Sequence, residues 1–315
     1  MGLDELDRRI VGALQVDGRA SWRRIAEVLD VPFTTVTRRG AALLGSGAVR
    51  VVTLPRHSQT AIIEVTVAPQ CFEGVARALA ERADTVFVFA LSAPARIIIE
   101  ELQPSDGMLA KAVLDEIPAI GGVTGVDAAP ILAYYRTLST WMPALLTPEE
   151  VMELNPKFGR LYDDAIPLAT AADHELYDIL ATDGRVSVAD IAARVGQSES
   201  AVRRRLAGLV DTKVDVRAVV SPKLLGLGVA AILWIRVAPG DVDRVAGQLL
   251  QSPYVRYAAM TMGDHQLIVD VAVPTLDDLR RFLTEQPWNA AVESIRSSPV
   301  LKTYKRSGLA VDECN

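Results

Sequence analysis

The sequence predicts an α+β chain in which a winged or near-winged helix-turn-helix head and a ferredoxin-like βαββαβ domain occur twice in tandem. Three observations predict it. The chain repeats itself at a period of about 166–170 residues. Within each copy the apolar residues recur first at helical and then at strand spacing. The switches between them fall at Gly- and Pro-bearing turns.

The repeat sets the organisation. Asp17-Gly18-Arg19-Ala20-Ser21 returns as Asp183-Gly184-Arg185-Val186-Ser187, and Ile25-Ala26, Val36 and Arg38-Arg39 return as Ile191-Ala192, Val202 and Arg204-Arg205. Further on, Ala61-Ile62-Ile63 returns as Ala231-Ile232-Leu233, and Pro130-Ile131-Leu132 as Pro299-Val300-Leu301. A repeat this long is a duplicated two-domain unit and not a solenoid.

In the first copy, Leu3, Leu6, Ile10 and Leu14 mark a helix that the Asp-Gly-Arg turn ends. Ser21 is placed to cap a second helix carrying Ile25, Val28 and Leu29. Thr34 is placed to cap a third, with Val36, Gly40 and Leu43 inward, ending near Gly45-Ser46-Gly47. An extended run from Val49 to Leu54 completes the head. There follow a strand (Ala61–Val67), a helix (Phe72–Arg82), two strands (Thr85–Leu91 and Ile97–Leu102), a helix (Ser105–Ile117) and a last strand within Val123–Tyr135. The second copy repeats this from Ala230 to Tyr304. One face of such a sheet carries no helices, so the two sheets are expected to pack face to face within the chain. Between copies, Thr147-Pro148-Glu149-Glu150 has the form of a capping box with proline at the first helical position. The expected domains are 1–56 (head), 57–137 (sandwich), 138–170 (ordered connector), 171–223 (head) and 224–315 (sandwich).

Composition excludes several classes. The longest apolar run, Leu224 to Ile235, is too short to span a bilayer and is closed by Arg236. The acidic start, Met1-Gly2-Leu3-Asp4-Glu5, lacks a signal-peptide pattern, and Cys71 and Cys314 form no CxxC or Cys/His spacing, so a cytoplasmic chain without disulfide, metal site or cofactor is expected. His57, His174 and His265 show no metal spacing and no pairing with a nucleophile, so no catalytic residue is assigned and no enzyme is expected.

The net charge of −6 hides an uneven distribution. Residues 1–56 carry nine arginines against six acids, and Val31–Arg56 has four arginines and no acid. Phosphate binding needs a local positive face and not a basic protein. On the third helix, Thr34, Thr35, Arg38 and Arg39 fall opposite the buried stripe, where arginine can pair with guanine or grip phosphate. Arg23 and Arg24 start the second helix and are candidate phosphate contacts. The second copy offers Ser200, Arg203, Arg204 and Arg205, but its head is neutral, with eight cations against eight acids. The expected partner is double-stranded DNA, held chiefly by the first copy.

The order of elements resembles the Lrp/AsnC (feast/famine) regulators. The residues that carry this are Leu6-Asp7-Arg8-Arg9-Ile10, Leu14-Gln15-Val16-Asp17-Gly18-Arg19 and Val36-Thr37-Arg38-Arg39, with Val202-Arg203-Arg204-Arg205-Leu206, Gly263-Asp264-His265-Gln266-Leu267 and Pro299-Val300-Leu301-Lys302-Thr303-Tyr304 in the second copy. The resemblance covers nearly everything outside the connector, although a tandem fusion departs from the usual single-copy subunit. It implies a transcriptional regulator whose DNA binding or assembly responds to a small-molecule effector, often an amino acid, and which self-associates as a homodimer or larger. It also implies an effector loop at Met262, Gly263, Asp264, His265 and Gln266, with Ser297 and Ser298 adding hydroxyls. Family members commonly carry an acid where Gln266 stands. The first copy has Ser92-Ala93-Pro94-Ala95-Arg96 in place of this loop. Two alternatives share the architecture: an effector-free architectural DNA-binding protein and a siroheme decarboxylase. The latter carry histidines in the sensor strands, whereas Tyr254–Thr261 has none.

Overall fold

A computed structural model of the chain describes residues 3–56, 59–103, 107–159 and 170–311. His57, Cys314, the expected helix start at Ser105 and connector residues 160–169 lie outside the described residues. In chain order, the first head comprises α1 (Glu5–Val16), α2 (Trp22–Leu29), α3 (Phe33–Gly45) and β1 (Val49–Pro55). The first sensor comprises β2 (Thr60–Val67), α4 (Phe72–Glu81), β3 (Thr85–Leu91), β4 (Arg96–Leu102), α5 (Met108–Lys111) with a wider turn over Ala112–Glu116, and β5 (Val123–Arg136). The connector contributes α6 (Pro148–Leu154). The second head has α7 (Ala171–Thr182), α8 (Val188–Val195), α9 (Glu199–Thr212) and β6 (Val214–Val220). The second sensor has β7 (Val229–Val237), α10 (Val242–Leu249), β8 (Val255–Thr261), β9 (Leu267–Val273), α11 (Leu276–Thr284), β10 (Val292–Arg306) and the short β11 (Leu309–Ala310).

Polar caps start most of the head helices. Asp4, Ser21, Thr170, Ser187 and Ser198 each accept a hydrogen bond from a backbone amide in the first turn that follows. Thr147 and Glu150 form the expected capping box on α6. Helix α3 is the exception and corrects one expectation. Its cap position is Pro32, which offers only a carbonyl to the Thr35 and Val36 amides, so Thr34 lies exposed within the first turn.

The compact units cut across the repeat. One unit holds both heads and α6 (residues 1–58 and 142–225); the other holds both sensors (residues 59–141 and 226–315). In the head unit, Ile10, Leu14, Ile25 and Val36 form one buried core, and Leu176, Leu180, Ile191 and Val202 form its counterpart. Strand β1 is not a wing of its own head. It pairs antiparallel with β6 of the other copy, from Val49 opposite Val220 to Pro55 opposite Val214. An isolated strand leaves its backbone groups unpaired, and the duplicated partner supplies them.

In the sensor unit, each copy forms a four-stranded antiparallel sheet, ordered β3-β4-β2-β5 and β8-β9-β7-β10. The two meet through their inner faces, where Ile62, Phe89 and Ile98 pack with Ile232, Trp234 and Tyr257. They are also stitched at both edges, which the expected face-to-face packing did not include. The first part of β5 pairs with β2 of its own copy and the end pairs with β8 of the other. Strand β10 does the same with β7 and β3, so the sheets close into a ring. Each long strand carries a tyrosine into the other copy's helix-covered core: Tyr304 into the first, Tyr135 into the second. Among the described residues no helix is long and apolar enough to cross a membrane.

Candidate functional site

The Asp-Gly-Arg turns join the heads. Arg19 donates from Nη1 to the Gly184 carbonyl (2.6 Å) and from Nη2 to the Val186 carbonyl (3.0 Å). Arg185 returns the same two bonds to Gly18 (2.6 Å) and Ala20 (3.0 Å), with its guanidinium stacked 4.4 Å from the Trp22 ring. The Gly18 amide donates to the Val216 carbonyl and the Gly184 amide to the Val51 carbonyl, both at 3.0 Å. Glycine is required for this approach, because a Cβ on Gly18 would stand 2.7 Å from the Val216 carbonyl oxygen. The only sequence signal for this clamp was that the same turn occurs in both copies.

With the heads joined, α3 and α9 keep one face uncovered. Arg38 and Arg204 occupy equivalent positions there, are exposed, and have no carboxylate partner among the described residues. Thr34 and Ser200 are exposed on the preceding turn, and Thr35 is half-buried. Arg39 instead pairs with Asp4 and Asp7 on α1, at 2.5 and 2.9 Å. Its equivalent Arg205 is bonded to Gln197 and to the Ala172 carbonyl. This corrects the expectation that the adjacent arginines both face outward: successive helical residues point about 100° apart, and the second of each pair fastens the third helix of its head to the first.

Charge in the first head is correspondingly sparser than its sequence count. Arg24 is taken by α6, bonding the Glu153 carbonyl (2.8 Å) and carboxylate (3.0 Å). Arg9 pairs with Glu150 of the same helix, and Arg56 with Asp215 at 2.8 Å. Arg23, Arg38 and Arg50 remain exposed without a carboxylate partner among the described residues, Arg23 lying 5.8 Å from the Phe33 ring. In the second head Arg203 is exposed, with Glu199 at 3.7 Å.

In the sensor unit, the loop from Met262 to Gln266 joins β8 to β9. Gly263 has φ +119°, a backbone open to glycine. Gln266 does not face solvent freely; its side-chain oxygen accepts from the Val237 amide (3.1 Å). Arg236 donates to the Asp264 carbonyl (2.8 Å), while the Asp264 side chain is 90% exposed. His265 is half-buried, and burial followed by the Arg296 and Arg236 charges lowers its pKa. The Met262 amide donates to the Pro130 carbonyl on β5 of the first copy. Ser298, by contrast, is buried and donates to the Ala93 carbonyl, beside a bond from the Ser92 amide to the Pro299 carbonyl. Ser297 is exposed on the same strand. The expectation that Ser298 adds its hydroxyl to the Gly263 loop is thereby corrected. The strand exchange sends β10 to the first copy's loop, and β5 to the second copy's.

Two adjacent acids on β4 are nearly inaccessible. Glu100 accepts hydrogen bonds from Thr60, Tyr134 and Tyr257, the last from the other copy, and burial raises its pKa against those bonds. Burial, reinforced by the Asp84 charge, pushes the Glu101 carboxyl up to about 7 against the pull of Arg82. Sequence reading assigned neither residue a role.

Comparison with known proteins places this geometry in a family. The AsnC-type helix-turn-helix model matches residues 3–44 and 170–210, and the Lrp/AsnC ligand-binding domain model matches residues 230–310. An HTH-type transcriptional regulator of Pyrococcus horikoshii is 30% identical over 142 residues, which is 44% of this chain and 89% of that protein. The HTH-type transcriptional regulator FL11 of Pyrococcus furiosus is 29% identical over 137 residues, or 43% of this chain and 91% of that protein. Each relative thus spans about one copy of the repeat. Among solved structures, the siroheme decarboxylase NirDL superposes with a TM-score of 0.64 at 12% identity, covering 96% of this chain and 93% of that one, a similarity of fold. Two AsnC-type helix-turn-helix heads, an Lrp/AsnC ligand-binding domain in the second copy and the same order of elements in the first make this chain a tandem member of the Lrp/AsnC family of HTH-type transcriptional regulators.

Proposed function

We propose that the chain binds duplex DNA through α3 and α9, with Arg38 and Arg204 facing the groove, and acts as a regulator and not as an enzyme. The observation that carries this reading is the pair itself. Equivalent arginines stand exposed and unpaired, among the described residues, on the outer faces of two heads that clamp each other. Thr34, Ser200, Arg203 and Arg23 border them, whereas Arg24, Arg39 and Arg205 act within the fold. Titration of a selected operator against the Arg38→Ala and Arg204→Ala variants tests the assignment. Each substitution is expected to cost about 1–3 kcal/mol if the arginine reads a base. Where it grips phosphate, the salt dependence is expected to fall by about one counterion. Wild-type affinity in both folded variants would remove α3 and α9 from the interface.

The same reading assigns the Met262–Gln266 loop to a small-molecule effector, with an amino acid as the first candidate, that alters DNA binding or assembly into homodimers or larger species. Asp264 supports this: Arg236 fixes its backbone carbonyl and lies 3.9 Å from one carboxylate oxygen, while the side chain stays exposed and can still accept from an ammonium group. Asp264→Ala is expected to abolish the effector-induced change in DNA affinity, and Pro94→Ala in the first copy to leave it near normal. The reverse result would move the site to the Ser92–Arg96 loop. A cytoplasmic location fits the regulator role. Relatives that are regulators at 29–30% identity, and the absence of histidine from Tyr254–Thr261, support this reading over a decarboxylase.

A further inference from the structure

We infer that a single chain reads a duplex composed of two unlike half-sites. The inference rests on the DNA-binding reading above and adds the form of the operator. A helix-turn-helix protein ordinarily obtains its second reading helix from a second, identical chain, and its operator then mirrors the protein's twofold symmetry in two matching halves. Here both helices belong to one chain. The heads are related by a local twofold, since the bonds exchanged by Arg19 and Arg185 match partner for partner and β1 pairs antiparallel with β6. Both Gly18 and Gly184 sit against the opposite strand with no room for a side chain, which holds the heads in one arrangement.

The backbone is twofold but the reading faces are not. Arg38 and Arg204 correspond, as do the hydroxyls of Thr34 and Ser200. Around them the chemistry diverges. Phe33, 49% exposed at the start of α3, corresponds to Glu199 at the start of α9. The exposed Arg203 stands where the first copy has Thr37, half-buried with its hydroxyl turned from solvent, and the half-buried Thr35 corresponds to Ala201. An exposed phenyl ring makes apolar contact with a thymine methyl, a carboxylate accepts from the cytosine amino group, and arginine pairs with guanine. The first copy therefore prefers a half-site with thymine beside guanine, and the second a half-site with cytosine beside guanine. Because the heads are fixed to one another, the two halves lie at one spacing. A symmetric duplex would offer guanine to both arginines but would match the neighbouring contact of only one head.

Selection of random duplexes with the full-length chain tests this, followed by base-interference footprints and stoichiometry on a minimal duplex bearing one selected site. The expected motif has two unlike halves at fixed spacing, bound by one chain. Arg38→Ala should erase the footprint on one half and Arg204→Ala on the other, each with a loss of about 5- to 150-fold. The double exchange of Phe33→Glu with Glu199→Phe should shift the base preference next to guanine from one half to the other. A motif with identical halves, or a single half-site, or footprints lost from the same half in both variants, would overturn the inference while leaving DNA binding intact. Enrichment of no duplex, with both arginine variants indistinguishable from wild type, would instead overturn the DNA-binding reading itself.

Discussion

Gly18→Ala is expected to separate the two heads and to lower operator affinity by about tenfold or more. The added methyl would fall 2.7 Å from the Val216 carbonyl oxygen and 2.8 Å from the Arg217 nitrogen. Both are backbone atoms of the β1–β6 ribbon, so relief requires moving a paired strand and not rotating a side chain. Overpacking of this kind costs about 1–3 kcal/mol. Here it also threatens the reciprocal Arg19 and Arg185 bonds, whose acceptors are carbonyls on the same turns. Every 1.4 kcal/mol lost from the docked arrangement is about tenfold in affinity for a duplex that needs both heads at once. Gly208→Ala is the matched control. A Cβ on Gly208 meets nothing, and alanine within α9 is expected to add roughly 0.5–1 kcal/mol to stability. Limited proteolysis of the head unit, with operator titration of both variants, reads the outcome. Wild-type affinity in Gly18→Ala would show that the clamp does not support DNA binding.

The stability of the sensor unit is expected to fall as pH rises from about 5 to above 7, and Glu101→Gln to remove the share of that fall that Glu101 contributes. The Glu101 carboxyl, 1% exposed, titrates at about 7 in the folded chain against 4.5 for an unburied glutamate. Below pH 4.5 it is protonated whether the chain is folded or not, and its contribution is fully present. Between that pH and about 7 the unfolded chain releases the proton while the folded chain keeps it, so unfolding becomes progressively easier. Above the folded value the loss is complete, on the order of 3 kcal/mol. Glu100 shifts in the same direction because it too is buried, and its hydroxyl partners only partly offset this. Glu101→Gln retains the acceptor for Gln103 and removes the charge. Urea midpoints at pH 5 and pH 8 measure the difference between wild type and variant. A variant less stable than wild type at pH 8 by the margin seen at pH 5 would show that Glu101 is charged in the folded chain throughout.

The parts of this fold that were legible in the sequence are those decided within about twenty residues. Ser21 and the Thr147–Glu150 box announced helix starts because a cap needs only a side-chain acceptor and amides two or three positions on. The sensor strands were legible because alternation and β-branching are local. Thr34 misled because a hydroxyl before an apolar stripe looks like a cap, and nothing local showed that the Pro32 carbonyl had taken the position. The reading-helix arginines were half legible. Periodicity put both Arg38 and Arg39 away from the core, but only the position of α1 brought Asp4 and Asp7 to Arg39.

Element order, the duplication and the family pattern therefore followed from local spacing and self-similarity. Tertiary structure alone decided the pairing between copies. Strand β1 has a free edge that a hairpin, a second chain or the other copy could satisfy, and its own residues do not distinguish these. The same holds for β5 and β10, each long enough to serve two sheets, so that Ser298 reaches Ala93, 205 residues away in sequence, and not the Gly263 loop only 35 residues before it. Backbone hydrogen bonding is indifferent to which strand supplies the partner. The choice was made by burial of the inner faces and by the close approach at Gly18 and Gly184, which exist only once both copies are folded together.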